Sequence, residues 1–141
     1  MAAPTIELLR NDYVVISLEH DGRIVRFRRL GRAFPNLLVA REVYDETLAA
    51  YDRLGRRGKG LLVDSREAIG RNDPEFEALL LEFRRRSVTG FVGHMVLMRT
   101  AVGILQAQRF DRSPTVKLVT DNEAEAVAYL LKLQGSGGQI G

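Results

Sequence analysis

The chain has no cysteine and no tryptophan, only two histidines, and three lysines (Lys59, Lys117 and Lys132) among its 21 basic residues. Without cysteine there can be no disulfide, no thiolate zinc site and no cysteine nucleophile, and a reducing compartment is favoured. His20 sits beside a hairpin signal and His94 at the start of an apolar run, and neither has a second histidine or a carboxylate at metal-ligand spacing. Both are read as structural or surface residues. No run approaches the roughly 18 apolar residues of a membrane span, and the segment Met1 to Thr5 lacks the basic-then-apolar order of a secretory leader. A cytoplasmic chain with no membrane span is therefore expected.

Motif searches are equally sparse. Gly55-Arg56-Arg57-Gly58-Lys59-Gly60 has the look of a phosphate loop, but no serine or threonine follows the lysine and the segment leads into a strand. It is read as a basic turn. With no Gly-x-Gly-x-x-Gly after a strand and no Gly-x-Ser-x-Gly elbow, dinucleotide binding and serine hydrolysis are disfavoured, and no catalytic residue, cofactor or metal is assigned.

What is present is an ordinary globular balance: 141 residues, 45% hydrophobic and 28% charged, with a formal net charge of +3. That length suits one core, expected to span residues 1–134, with a flexible glycine-rich tail at 135–141. The arginines cluster in three groups, around Arg26 and Arg28, around Arg56, and at Arg84 to Arg86. Their excess over lysine carries little functional weight, since a GC-rich genome produces the same bias.

Hydrophobic periodicity sets the order of elements. Tyr13 to Leu18 is rich in β-branched residues, Asp21-Gly22 is a hairpin signal, and the returning strand runs from Ile24 to Leu30. On it Val25 and Phe27 face one way, and Arg26 and Arg28 face the other, as in a sheet with one solvated side. From Leu37 the period becomes helical until Gly55. Gly60 to Val63 then reads as a strand, Asp73-Pro74 as a helix start, His94 to Met98 as a strand, and Thr100 as the cap of a helix through Leu105. Val116 to Val119 reads as the last strand, and Thr120 to Glu123 as a capping box before a helix ending near Leu133. The fold class is α/β: an N-terminal antiparallel meander, then alternating strands and helices, giving a mixed sheet with about four helices.

This order resembles the STAS family, the sulfate-transporter and anti-sigma-factor-antagonist domains with their SEC14-like bacterial relatives, over nearly the whole chain. The most similar stretch is Leu61-Leu62-Val63-Asp64 followed by Asn72-Asp73-Pro74. In the family a strand ending in aspartate leads to an Asp-Ser-Ser-Gly-like loop whose first serine is phosphorylated by a partner kinase. Laid without gaps from Asp64, Asn72 stands at the loop aspartate and Asp73 at the serine. The hydroxyl is absent, so the phosphorylation switch is not implied. Asp73 reads first as an N-cap and second as a fixed negative charge in place of a phosphate.

The resemblance implies a non-enzymatic protein–protein interaction module in a bacterial regulatory or scaffolding system. Its partner would be another protein, with a second copy of the chain as the other candidate. The expected partner-binding residues gather where parallel strands end: Asp64, Ser65, Arg66, Arg71, Asn72, Asp73, Arg99 and Thr100. Arg66, Arg71 and Arg99 could take an anionic group there. The plain alternative is that these arginines pair with Asp64, Glu67 and Asp73. A small-molecule or lipid pocket between helices and sheet, lined by Phe76, Leu79, Leu80, Phe83, Phe91, Met95 and Met98, is the second function class. Nucleic-acid binding through Arg23, Arg26 and Arg28 ranks below it, given the low net charge and the lack of an aromatic platform.

Overall fold

The computed structural model describes residues 5–69, 73–99 and 119–138. Six strands form one mixed sheet in sequential order: β1 (Ile6–Arg10), β2 (Val14–Glu19), β3 (Ile24–Arg29), β4 (Gly60–Asp64), β5 (Gly93–Leu97) and β6 (Val119–Thr120). The first three pair antiparallel and the remaining neighbours pair parallel. Three helices lie among the described residues: α1 (Leu37–Leu54), α2 (Pro74–Val88) and α3 (Glu123–Gly138). The α/β class and the antiparallel opening are as the sequence indicates. The helix expected from Thr100 through Leu105 lies outside the described residues.

The hairpin turns through three consecutive left-handed residues, His20, Asp21 and Gly22. Of these only the glycine adopts that conformation without a steric cost. α1 starts where the Asn36 side chain accepts from the Val39 N–H at 2.9 Å, and it ends at Gly55, whose φ of 88° continues no helix. At α2 the structure departs from expectation. Asp73 occupies the N-cap position, but its carboxylate makes no capping bond. The Asp73 carbonyl accepts the first helical bond, from the Glu77 N–H at 3.0 Å, and Glu75 and Glu77 supply negative charge to the helix's positive end.

The start of α3 is also displaced by two residues from the expected box. Asn122 is the cap, its side chain accepting from the Glu125 N–H at 3.0 Å, and Thr120 belongs to β6. The helix then runs to Gly138, beyond Leu133 and into the expected tail. Glycine costs a helix about 1 kcal/mol relative to alanine but leaves its hydrogen-bond ladder intact, and no proline interrupts this segment.

Strand alternation sends residues to two cores. Val14, Ile16, Val25, Phe27, Leu61, Val63 and Val96 pack against α1 and α2 on one face, with Tyr44 and Phe83 stacked at 4.0 Å between the two helices. Ile24, Leu62, Met95 and Leu97 pack against Ala126 and Leu130 of α3 on the other. The basic turn after α1 fastens the first layer. Arg56 donates to the carbonyls of Arg86, Ser87 and Thr89 at the end of α2 and lies over the rings of Tyr51 and Phe91. It is a C-terminal cap supplied from another element.

On the second face Gly60 and Gly93 are register partners beneath α3. A Cβ on Gly60 would stand 3.1 Å from the Leu130 Cβ, and one on Gly93 would overlap the Leu133 side chain. The helix comes this close because the two strands begin without side chains. Gly93→Ala is expected to lower stability by about 1–3 kcal/mol through overpacking, measured as a shift in the urea midpoint without a change in slope. An unchanged midpoint would mean that α3 is free to lift.

Candidate functional site

α3 covers β4 and β5 and leaves the meander's half of its face open. Alternation places Val15, Ser17 and Glu19 of β2, Arg26 and Arg28 of β3, and Asp64 of β4 on that side, with Glu7 and Arg10 of β1 opposite Ser17 and Val15. Together with Thr5, Arg66, Glu67 and Arg99 these residues line a cleft of about 610 Å³. Its upper edge is the carboxyl ends of the parallel strands, the usual place for crevices in open α/β sheets.

The floor is an ion network. Arg26 holds Glu19 through two bonds, from Nε to Oε2 at 2.8 Å and from Nη2 to Oε1 at 3.1 Å. Its Nη1 donates to Asp64 Oδ2 at 2.9 Å and to Glu123 Oε1 at 3.2 Å. Arg66 holds the same aspartate in a fork, from Nε to Oδ1 at 2.9 Å and from Nη2 to Oδ2 at 2.8 Å, and also reaches Glu123 at 2.9 Å. Ser17 Oγ donates to Glu19 at 3.1 Å. The Asp64 side chain is 3% exposed and that of Arg26 12%. The arginine expected on a solvated face is therefore mostly buried, because three carboxylates and the start of α3 enclose it.

Burial alone would raise the Asp64 carboxyl, but hydrogen bonds from Arg66 and then Arg26 outweigh it and hold the group below its ordinary value. Burial likewise opposes the charge on Arg26, and Glu19 with Glu123 overcomes it, so this guanidinium is held more firmly protonated than usual.

The residues expected at the partner edge divide into four sets. Asp64 is buried with both oxygens engaged, and Arg66 is its partner, as in the plain ion-pair alternative. Ser65 ties the edge together through its backbone, its N–H donating to Leu97 O at 2.8 Å and its carbonyl accepting from Ala68. Asp73 and Arg99 are exposed. Arg71, Asn72 and Thr100 lie outside the described residues. The sequence did not single out Glu19, Arg26, Arg28 and Glu123 as parts of this site, and it named Glu67 there only as a pairing partner for arginine. The one local signal was charge at alternating positions of an otherwise apolar strand.

Among the described residues no group of histidine, aspartate and glutamate side chains is arranged to hold a metal ion, and no helix is long and apolar enough to cross a membrane. No protein-family model, curated protein or solved structure matches the chain.

Because Asp64 titrates lower in the folded chain than its ordinary value of 3.8, its contribution is complete at neutral pH and is lost as pH falls through the folded value. Asp64→Asn leaves Arg26 with Glu19 and Glu123 but removes charged bonds from both Arg26 and Arg66, and is expected to cost about 1.5–3 kcal/mol at pH 7. Urea unfolding at pH 7, 5, 4 and 3 should show a shallower acid loss in the variant. Equal acid slopes would assign the linkage to other carboxylates.

Proposed function

We propose that the chain is a non-enzymatic protein–protein interaction module of the STAS type, serving a bacterial regulatory or scaffolding system in the cytoplasm. Its docking edge runs along the carboxyl ends of β3, β4 and β5 and includes the helix start at Asn72-Asp73. The observation that carries this reading is the open charged cleft at that edge, set on the half of the sheet that α3 leaves uncovered. The order of three antiparallel strands followed by strand–helix alternation also supports it.

Charge argues for the kind of partner. Each cleft carboxylate has an arginine within ion-pair distance: Glu7 has Arg10, Glu19 has Arg26, Asp64 has both Arg26 and Arg66, and Glu67 has Arg28. Arg99 has no carboxylate partner among the described residues and is exposed at the rim. A partner bearing an anionic group fits this remainder.

Two other readings have less support. β1 is an outer strand, but a bulge between Glu7 and Leu9 and the Glu7–Arg10 pair interrupt its edge, as in strands protected against pairing with a second copy. The side chains considered for an apolar pocket are packed as core: Leu79 and Phe83 are buried, Phe76, Leu80, Phe91 and Met98 lie against them, and Met95 belongs to the second cluster.

The test is quantitative capture from source lysate with the wild type, an Asn72→Arg/Asp73→Arg variant and an Arg28→Glu/Arg99→Glu variant, each shown to be folded by thermal melting. A captured protein should, once purified, bind the wild type and lose at least about tenfold in affinity with either variant, equivalent to roughly 1.4 kcal/mol. A captured set that is empty or indifferent to both variants removes the interaction edge.

A further inference from the structure

We propose that Arg28 and Arg99 form a receptor for a carboxylate or phosphate group, and that Glu67 occupies Arg28 as an internal stand-in until such a group arrives. This rests on the docking edge argued above and names the chemistry that the edge recognises.

Arg28, Asp64 and Leu97 are partners in one row across the parallel strands. Neighbouring strands stand about 4.8 Å apart, so the backbones of Arg28 and Leu97 are separated by about 10 Å. Arg99 follows two residues beyond Leu97, and both arginines line the same cleft. Two arginine side chains can close that span on one oxyanion.

The other cleft arginines hold shorter, hydrogen-bonded contacts. Arg26 binds Glu19 and Asp64, Arg66 forks Asp64, and Arg10 meets Glu7 at 2.7 Å in a pair that is itself exposed. Arg28 differs from these. Its contact with Glu67 is a single long one, Nε to Oε2 at 3.3 Å, between side chains 43% and 45% exposed. That Nε is shielded from solvent yet makes no hydrogen bond. A guanidinium has five donors in a fixed fork suited to planar or tetrahedral oxyanions. An ion pair this exposed contributes little, so a ligand that reaches Arg28 and Arg99 together displaces Glu67 at small cost.

Glu67→Gln keeps the shape of the stand-in and removes its charge. In titrations at low ionic strength, followed by the arginine Nε–H signals in NMR spectra, inorganic phosphate and a hexaglutamate peptide serve as the two probes. They separate a phosphate-bearing source from an acidic segment. The probe that binds the wild type should bind Glu67→Gln about three- to fivefold tighter and Arg99→Gln at least about tenfold weaker, as expected for a weak competing pair and a lost charged hydrogen bond. Glu42→Gln makes the same change in net charge on α1, across the sheet from the cleft, and should leave affinity within about twofold. An equal gain in Glu42→Gln and Glu67→Gln, or no gain in Glu67→Gln, overturns the stand-in. Failure of both probes to bind any variant overturns the receptor, and the lysate capture then decides the docking edge by itself.

Discussion

A guanidinium taken out of water on β3 must be met by carboxylates, and the arrangement around Arg26 follows from that requirement. Glu19 comes from the preceding strand, Asp64 from the end of the next parallel strand and Glu123 from the first turn of α3. Arg66 adds a second fork to Asp64. Four elements meet at one charge, and replacing any single carboxylate weakens what offsets the desolvation of that cation. The same arrangement divides the second sheet face. On one side of the network α3 seals an apolar core, and on the other the meander stays open and charged.

This division separates two kinds of arginine that look alike in the sequence. Arg26 is structural because its carboxylates surround it. Arg28, two residues along the same strand face, has a single half-exposed partner. Arg29 differs again: its side chain is buried against the Phe34 ring at 4.2 Å and donates to the carbonyls of Tyr13 and Arg32, with no carboxylate partner among the described residues. Burial without a counter-ion loosens its proton relative to an ordinary arginine, although nearby Tyr44 and Tyr13 act the other way. Three arginines within four positions thus have different work, decided by what each strand neighbour brings.

Much of the fold was legible because it depends on local signals. The helical period from Leu37 and the stop at Gly55 delimit α1, Asp21-Gly22 marks the hairpin, and the alternation of Val25 and Phe27 against Arg26 and Arg28 assigns the two faces of β3. Little of the site was legible, for a physical reason. The bonds that define it join Arg26 to Asp64 across 38 positions and to Glu123 across 97. No periodicity carries such pairings. Alternation foretold a solvated Arg26 because it records which way a side chain points, and α3, which shields that side, had no assigned face. The α2 cap failed differently: Asp73 has the right residue type at the right position, but its carboxylate makes no capping bond.

α3 is held at two places by unlike forces. Toward its middle and end, Leu130 and Leu133 seat on Gly60 and Gly93, a fit of shape that dissolved ions do not touch. At its start Ala126 joins the same apolar core, and Glu123, 45% exposed, adds ion pairs to Arg26 and Arg66 that dissolved salt weakens. Rising ionic strength therefore acts on the charged contacts at the head of the helix and leaves its apolar seating whole.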